Sequence, residues 1–197
     1  MSFFSLLAEG FDLPILDWIA ANLWCPFLDA VMPAITRLGD AGIFWILIAV
    51  ALLLFRKTRR VGLGMAFALL TGLLLCNLTL KPLCQRPRPY DYQYEVFGKL
   101  IPLIIERQHD FSFPSGHTIA SFEAAGVIVL NNKKWGIAAL VLASLIAFSR
   151  LYLYVHYPTD VLASILLGML FAFIGDALAG LIAPKLRFGK RGKYEAR

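Results

Sequence analysis

Apolar residues along this chain gather into five long runs, at residues 41–55, 61–80, 116–130, 135–148 and 159–184. Each is too long for a buried strand and carries few charges, so each predicts a helix. A hydrocarbon layer about 30 Å thick needs roughly 20 apolar residues at about 1.5 Å per residue. The shorter runs reach that span with their flanking residues, whose Lys and Arg heads extend toward the interface. The pattern therefore predicts an all-α fold: a polytopic membrane bundle of five transmembrane helices.

Before the first run the pattern changes. Between residues 13 and 38 apolar side chains recur at helical spacing, at Leu16, Ile19, Leu23, Phe27, Val31, Ile35 and Leu38. Asp12, Asp17, Asn22, Asp29 and Arg37 interrupt them, with Pro14, Pro26 and Pro33. An N-terminal amphipathic helix or two lying in the interface fits this better than a span. The alternative is a sixth span. The expected organisation is an interfacial segment at 1–40, a membrane core at 41–184 and a basic tail at 185–197. The order of charged region, short apolar core and small-residue site that marks a cleaved leader is not seen.

Composition agrees with a membrane protein. The chain is 59% hydrophobic and 16% charged, against about 45–50% and about 25% for soluble domains. Its net charge of +6 raises the question of nucleic acid. Twelve of the 19 basic residues, however, lie in three clusters, at 56–60, 133–134 and 185–197, each flanking an apolar run. That is the bias of cytoplasmic loops, so no nucleic-acid partner is expected. The clusters follow the first, third and fifth runs. The first helix then runs outside to inside, and the C-terminus is cytoplasmic. Cys25, Cys76 and Cys84 form neither an even set nor a C-x-x-C pair, which gives no sign of a disulfide framework or zinc site.

Three motifs sit at the ends of these runs. Lys81-Pro-Leu-Cys-Gln-Arg-Pro-Arg88-Pro89 follows the second run. Pro114-Ser115-Gly116-His117 opens the third, and Ser149-Arg150, then His156 and Asp160, join the fourth to the fifth. The topology puts all three on the outer face. Between the second and third runs lies a polar stretch, 82–113, long enough for a binding loop. Lys81, Arg88 and Arg150 are fixed cations, and Arg86 is a further candidate. Arg150 gains little from charge bias at the outer face and calls for a local anion. Ser115 suits a helix N-cap, Gly116 admits close approach, and a free helix N-terminus receives anions. His117 projects from that first turn. His156 and Asp160 are four apart, so a carboxylate meets one ring nitrogen and leaves the other as nucleophile or base. Singly, each has an ordinary structural reading: a capped helix, lipid-facing cations, a His–Asp contact. Together on one face they describe a site for cleaving bound phosphate.

This set of motifs resembles the type 2 phosphatidic acid phosphatase (PAP2) superfamily. The motifs cover residues 81–160, and the helical layout extends the likeness over roughly 27–184. The resemblance implies a phosphohistidine formed on His156, held by Asp160, with His117 protonating the leaving oxygen and then activating water. It implies phosphoryl binding by Lys81, Arg88, Ser115, Gly116 and Arg150. No cofactor and no metal are expected, because the cations supply the charge and no acidic cluster suited to magnesium is seen. The implied substrate is a lipid phosphate or diphosphate, foremost undecaprenyl diphosphate, with phosphatidylglycerophosphate or phosphatidic acid as alternatives. The expected setting is a bacterial plasma membrane with an extracytoplasmic site and membrane lipids as partners. A transporter or non-catalytic lipid-binding protein is the reading of another class; the sequence lacks the inverted repeat of the former. Glu123 and Asp176, acids within apolar runs, stay unassigned.

Overall fold

The computed structural model describes residues 3–182; the tail expected at 185–197 lies outside the described residues. Helix α1 (Phe3–Leu7) continues through a π-helical turn (Ala8–Asp12) into α2 (Leu13–Leu23). Trp24 and Cys25 are extended, and Pro26 starts α3 (Pro26–Arg37). Proline has no N–H to lose at a first helical position, and it keeps the preceding residue out of the helix. A 3-10 turn (Asp40–Gly42) leads to α4 (Ile43–Leu54) and then α5 (Arg59–Gly72). Helix α5 passes through a π-helical stretch (Leu73–Leu80) into α6 (Lys81–Cys84). Helices α7 (Pro89–Phe97), α8 (Gly116–Asn131), α9 (Lys133–Tyr152) and α10 (Pro158–Ile182) complete the chain. Among the described residues there is no strand.

Among the described residues four helical stretches are long and apolar enough to cross a membrane: Pro26–Leu54, Arg59–Phe97, Lys133–Tyr152 and Pro158–Ile182. The third apolar run of the sequence forms α8, which has 16 residues and is about 24 Å long at the usual rise. It falls short of a typical span, yet it lies in the middle of the bundle, packed on α5, α9 and α10. Nine of its residues are buried, among them Phe122, Glu123 and Val127.

Small residues let the backbones close on one another there. A Cβ on Gly175 would lie 2.5 Å from the carbonyl oxygen of Gly64, where α10 meets α5. One on Gly126 would lie 2.5 Å from the Ala172 methyl, where α8 meets α10. Close packing of this kind holds helices together where lipid removes the hydrophobic drive. At the end of the bundle where α5 begins and α8 ends, Arg60 and Asn131 both reach Asp176, at 2.9 and 2.7 Å. That ties α5, α8 and α10 together and accounts for Asp176.

The apolar positions expected over 13–38 divide between two helices. Leu16 and Ile19 are buried, but Phe27 and Leu38 are exposed, while Met32 and Thr36 face inward. The break at Trp24 and Cys25 resets the helical phase, so spacing does not carry across it. The buried side of α2 packs with Met32, Tyr90 and the 152–157 segment into one apolar cluster.

Candidate active site

The first motif is a turn between two helices. Helix α6 ends at Gln85, whose φ of 46° is left-handed, and α7 restarts on Pro89 after an extended Arg88. That reversal places Lys81 and Arg88 together. Both bind Asp110: Lys81 Nζ donates to its carboxylate at 2.5 Å, and Arg88 donates to the carboxylate and, at 3.0 Å, to its backbone carbonyl. Burial would raise the Asp110 carboxyl, but the charges of Arg88 and Lys81 outweigh it and hold the group down at about 2.

The second motif starts α8. Ser115 is its N-cap, with Oγ accepting from the Thr118 amide and hydroxyl, at 3.4 and 2.9 Å. The Ser115 amide donates to Ser164 at 2.9 Å. His117, in the first turn, pairs through Nε2 with Asp40 Oδ1 at 2.8 Å. Since an ionised carboxylate only accepts, Nε2 carries the proton.

The third motif closes α9 and opens α10. Arg150 is buried, with Nη1 donating to Thr36 at 2.5 Å; its Nε finds no partner among the described residues. The chain then turns through Tyr154, at φ 60°, and brings His156 back beside it. Arg88 Nη1 lies 3.1 Å from His156 Nε2. Guanidinium cannot accept, so Nε2 bears the lone pair and Nδ1 the proton. Nδ1 faces Asp160 Oδ2 at 3.5 Å, a long contact. Burial, and then the charges of Arg88, Arg150 and Lys81, push the His156 pKa well below its ordinary value of 6.5. The imidazole is therefore neutral at neutral pH, with its Nε2 lone pair accepting from Arg88.

Asp160 is held firmly. It accepts from Ser112 Oγ and Arg86 Nη1, both at 2.5 Å, and from the Tyr157 amide at 3.0 Å. Arg86 is thus not among the cations facing a ligand. Its other nitrogen bonds Asp12 at 2.6 Å, and its guanidinium lies 3.7 Å from the Tyr157 ring centre. Asp12 in turn accepts from the amide and hydroxyl of Thr159, at 2.8 and 2.7 Å.

A cavity of about 730 Å³ joins these groups. Its polar end is lined by Lys81, Arg88, Gly116, His117, Arg150 and His156. It continues between α4 and α5 along Ile46, Val50, Leu53, Leu69 and Leu73. Six of the eight residues expected at the site share this cavity. The other two stand behind it: Ser115 caps α8 and Asp160 backs His156, and both are fully buried. Among the described residues no group of three or more acids, histidines or cysteines is placed to hold a metal.

Asp12, Asp40, Asp110, Ser112 and Thr36 escape a reading by motif. The partners of Asp12, Asp40 and Asp110 are 74, 77 and 29 residues away, beyond any helical or turn spacing. The one signal was the excess of acids before Arg37 with no base nearby to pair them. Glu123 lies on the cavity wall with Oε1 unpartnered among the described residues and against Gly72.

Comparison with known proteins fits this geometry. The family model described as the PAP2 superfamily matches residues 60–179. An undecaprenyl-diphosphatase of Sulfolobus acidocaldarius is 28% identical over 166 residues, covering 84% of this chain and 77% of the relative. The crystal structure of Aquifex aeolicus LpxE aligns with a TM-score of 0.71 at 27% identity, over 83% of this chain and 93% of that one. That of a transmembrane PAP2-type phosphatidylglycerolphosphate phosphatase from Bacillus subtilis aligns at 0.66 and 30% identity, over 97% and 96%.

Proposed function

This chain belongs to the PAP2 superfamily and is an integral membrane phosphatase, and we propose that it removes the terminal phosphate of a polyprenyl diphosphate such as undecaprenyl diphosphate. The observation that carries this is the shape of the cavity. Three cations and two histidines stand at one end, and an apolar channel between α4 and α5 leads away from them. A phosphate with a long hydrocarbon tail fits both ends. The name of the Sulfolobus relative supports the diphosphate. The Bacillus structure, aligned over nearly the whole chain, supports phosphatidylglycerophosphate as the second reading.

In the proposed mechanism Lys81, Arg88 and Arg150 hold the phosphoryl oxygens, with the α8 N-terminus at Gly116. Ser115 contributes by fixing that terminus. To reach Lys81 and Arg88, the phosphoryl group displaces the Asp110 carboxylate. His156 Nε2 attacks the phosphorus, and the bond to the bridging oxygen breaks. That oxygen leaves with the electron pair and takes a proton from His117. Water then adds to the phosphohistidine while His117 accepts its proton, the P–N bond breaks, and phosphate departs. Asp160 holds the Nδ1 proton of His156 throughout. The cations neutralise charge that a metal would otherwise meet.

Five helices cross the membrane in this reading, with α8 as the short central one. The site faces the extracytoplasmic side and the C-terminus the cytoplasm, as the basic clusters support.

The test is phosphate release in detergent with excess chelator, from undecaprenyl diphosphate, phosphatidylglycerophosphate and phosphatidic acid. Turnover of the diphosphate, undiminished by chelator, is expected to exceed the other two. Preference for phosphatidylglycerophosphate would install the second reading. Activity lost in chelator and restored by magnesium would overturn the cation mechanism.

A further inference from the structure

We propose that Asp40 is a positioning residue for His117, holding the Nε2 proton so that Nδ1 is the atom that exchanges a proton at the phosphoryl group. The proposal rests on the reading of His117 as the acid and later the water activator.

Three observations meet at the end of α3 and in the turn that leads to α4. Asp40 Oδ1 lies 2.8 Å from His117 Nε2, closer than the 3.5 Å between Asp160 and His156. Gly39 lies flat against the same edge of the ring: a Cβ there would stand 2.6 Å from Cδ2 and 3.1 Å from Cγ. The turn thus covers the Cδ2–Nε2 edge, while Nδ1 makes no hydrogen bond among the described residues. Thr36, one turn earlier, holds Arg150 at 2.5 Å. The turn's own shape is fixed, with φ of 49° at Ala41 and 67° at Gly42. The matched family region begins only at residue 60, so this segment stands outside it while touching two groups of the site.

The chemistry gives the carboxylate a purpose. When an alkyl phosphate reacts, the P–O bond breaks and its electron pair goes to an oxygen that takes the Nδ1 proton. In the second half, Nδ1 takes a proton from water as its oxygen bonds phosphorus, and the P–N pair returns to His156. A carboxylate on Nε2 stabilises the imidazolium before the first step and after the second. It also prevents the ring from presenting the wrong tautomer.

The experiment compares kcat/KM on phosphatidic acid, whose leaving oxygen needs a proton, with 4-nitrophenyl phosphate, whose leaving phenolate does not. This parameter covers only the steps through departure of the leaving group. Asp40→Asn should lose about 10–100-fold on phosphatidic acid, a part of the usual general-acid contribution, and less than threefold or so on the aryl ester. Asp40→Glu should recover part of the loss. An equal loss on both substrates, or unchanged or faster turnover of phosphatidic acid, overturns the proposal; the faster outcome would mark Asp40 as a blocker of the empty site. His117→Ala is measured alongside. If it shows the leaving-group dependence and Asp40→Asn does not, the inference alone fails. If His117→Ala shows none, the reading of His117 as the acid fails with it.

Discussion

His156 is kept neutral first by its burial and then by Arg88, Arg150 and Lys81. A base whose pKa is lowered stays unprotonated into mildly acidic solution. The acidic limb of kcat/KM, which reports the free enzyme, should therefore fall below pH 6.5, the ordinary histidine value. A limb at or above 6.5 would contradict a buried nucleophile among cations. Stability follows the same shift. Unfolded His156 takes a proton as pH drops past about 6.5, whereas the folded one does not. Its contribution is thus whole above that pH and is lost as pH falls toward the folded value. The two histidines are also separable by variant. His156→Ala should abolish both covalent phosphate labelling and turnover. His117→Ala should slow turnover by about 10²–10⁴-fold yet still accept phosphate from an aryl ester. Label that survives in the first variant and vanishes in the second would reverse the roles. The positions Lys81, Arg88, Gly116, His117, Arg150 and His156 were legible because each motif is local, and a turn or helix end converts its spacing into geometry. Asp12, Asp40 and Asp110 were not, because only tertiary packing joins them to their partners.

The elements divide in the same way. The apolar runs mark out α4, α5, α9 and α10, since a helix against lipid has to be apolar along its whole length. Helix α8 is written differently. It is surrounded by other helices, so it can be short and can carry Ser121, which accepts from the Trp45 ring at 3.0 Å, and the buried Glu123. The N-terminal segment was legible as helical and acidic, but not in its purpose. Each of its acids meets a partner from later in the chain: Asp12 on Arg86, Asp17 on Tyr154 and Lys99, Glu9 on Tyr92, Asp29 on Tyr152. Among these the Asp12–Arg86–Asp160 chain is nearly inaccessible to solvent. Asp12→Ala leaves the Arg86 charge buried with one partner fewer, a change that typically costs about 3–5 kcal/mol. We expect a large drop in melting temperature in detergent, and a further loss of kcat because Arg86, which bonds Asp160, loses its own anchor. Asp12→Asn, which keeps the shape, should recover more melting temperature than rate. Wild-type melting in Asp12→Ala would show that α1 and α2 are not docked through this ion pair.

At the scale of the whole molecule, the motif ends gather at one end of the bundle and the Arg60–Asp176 pair stands at the other. Cysteine labelling can assign the sides once the three native cysteines are replaced. His109 and Lys134 are exposed positions near the two ends. In intact cells a membrane-impermeant reagent should modify His109→Cys, and modify Lys134→Cys only after permeabilisation. The same result for both would remove the proposed topology.

The channel between α4 and α5 has one more consequence. A substrate whose tail lies in that channel arrives sideways from the leaflet and never leaves it. What the enzyme senses is then how crowded its lipid is within a plane, not how much of it there is in a volume. Diluting the substrate with inert amphiphile, at constant total amount, slows the reaction, while adding water to the same vesicles leaves it unchanged.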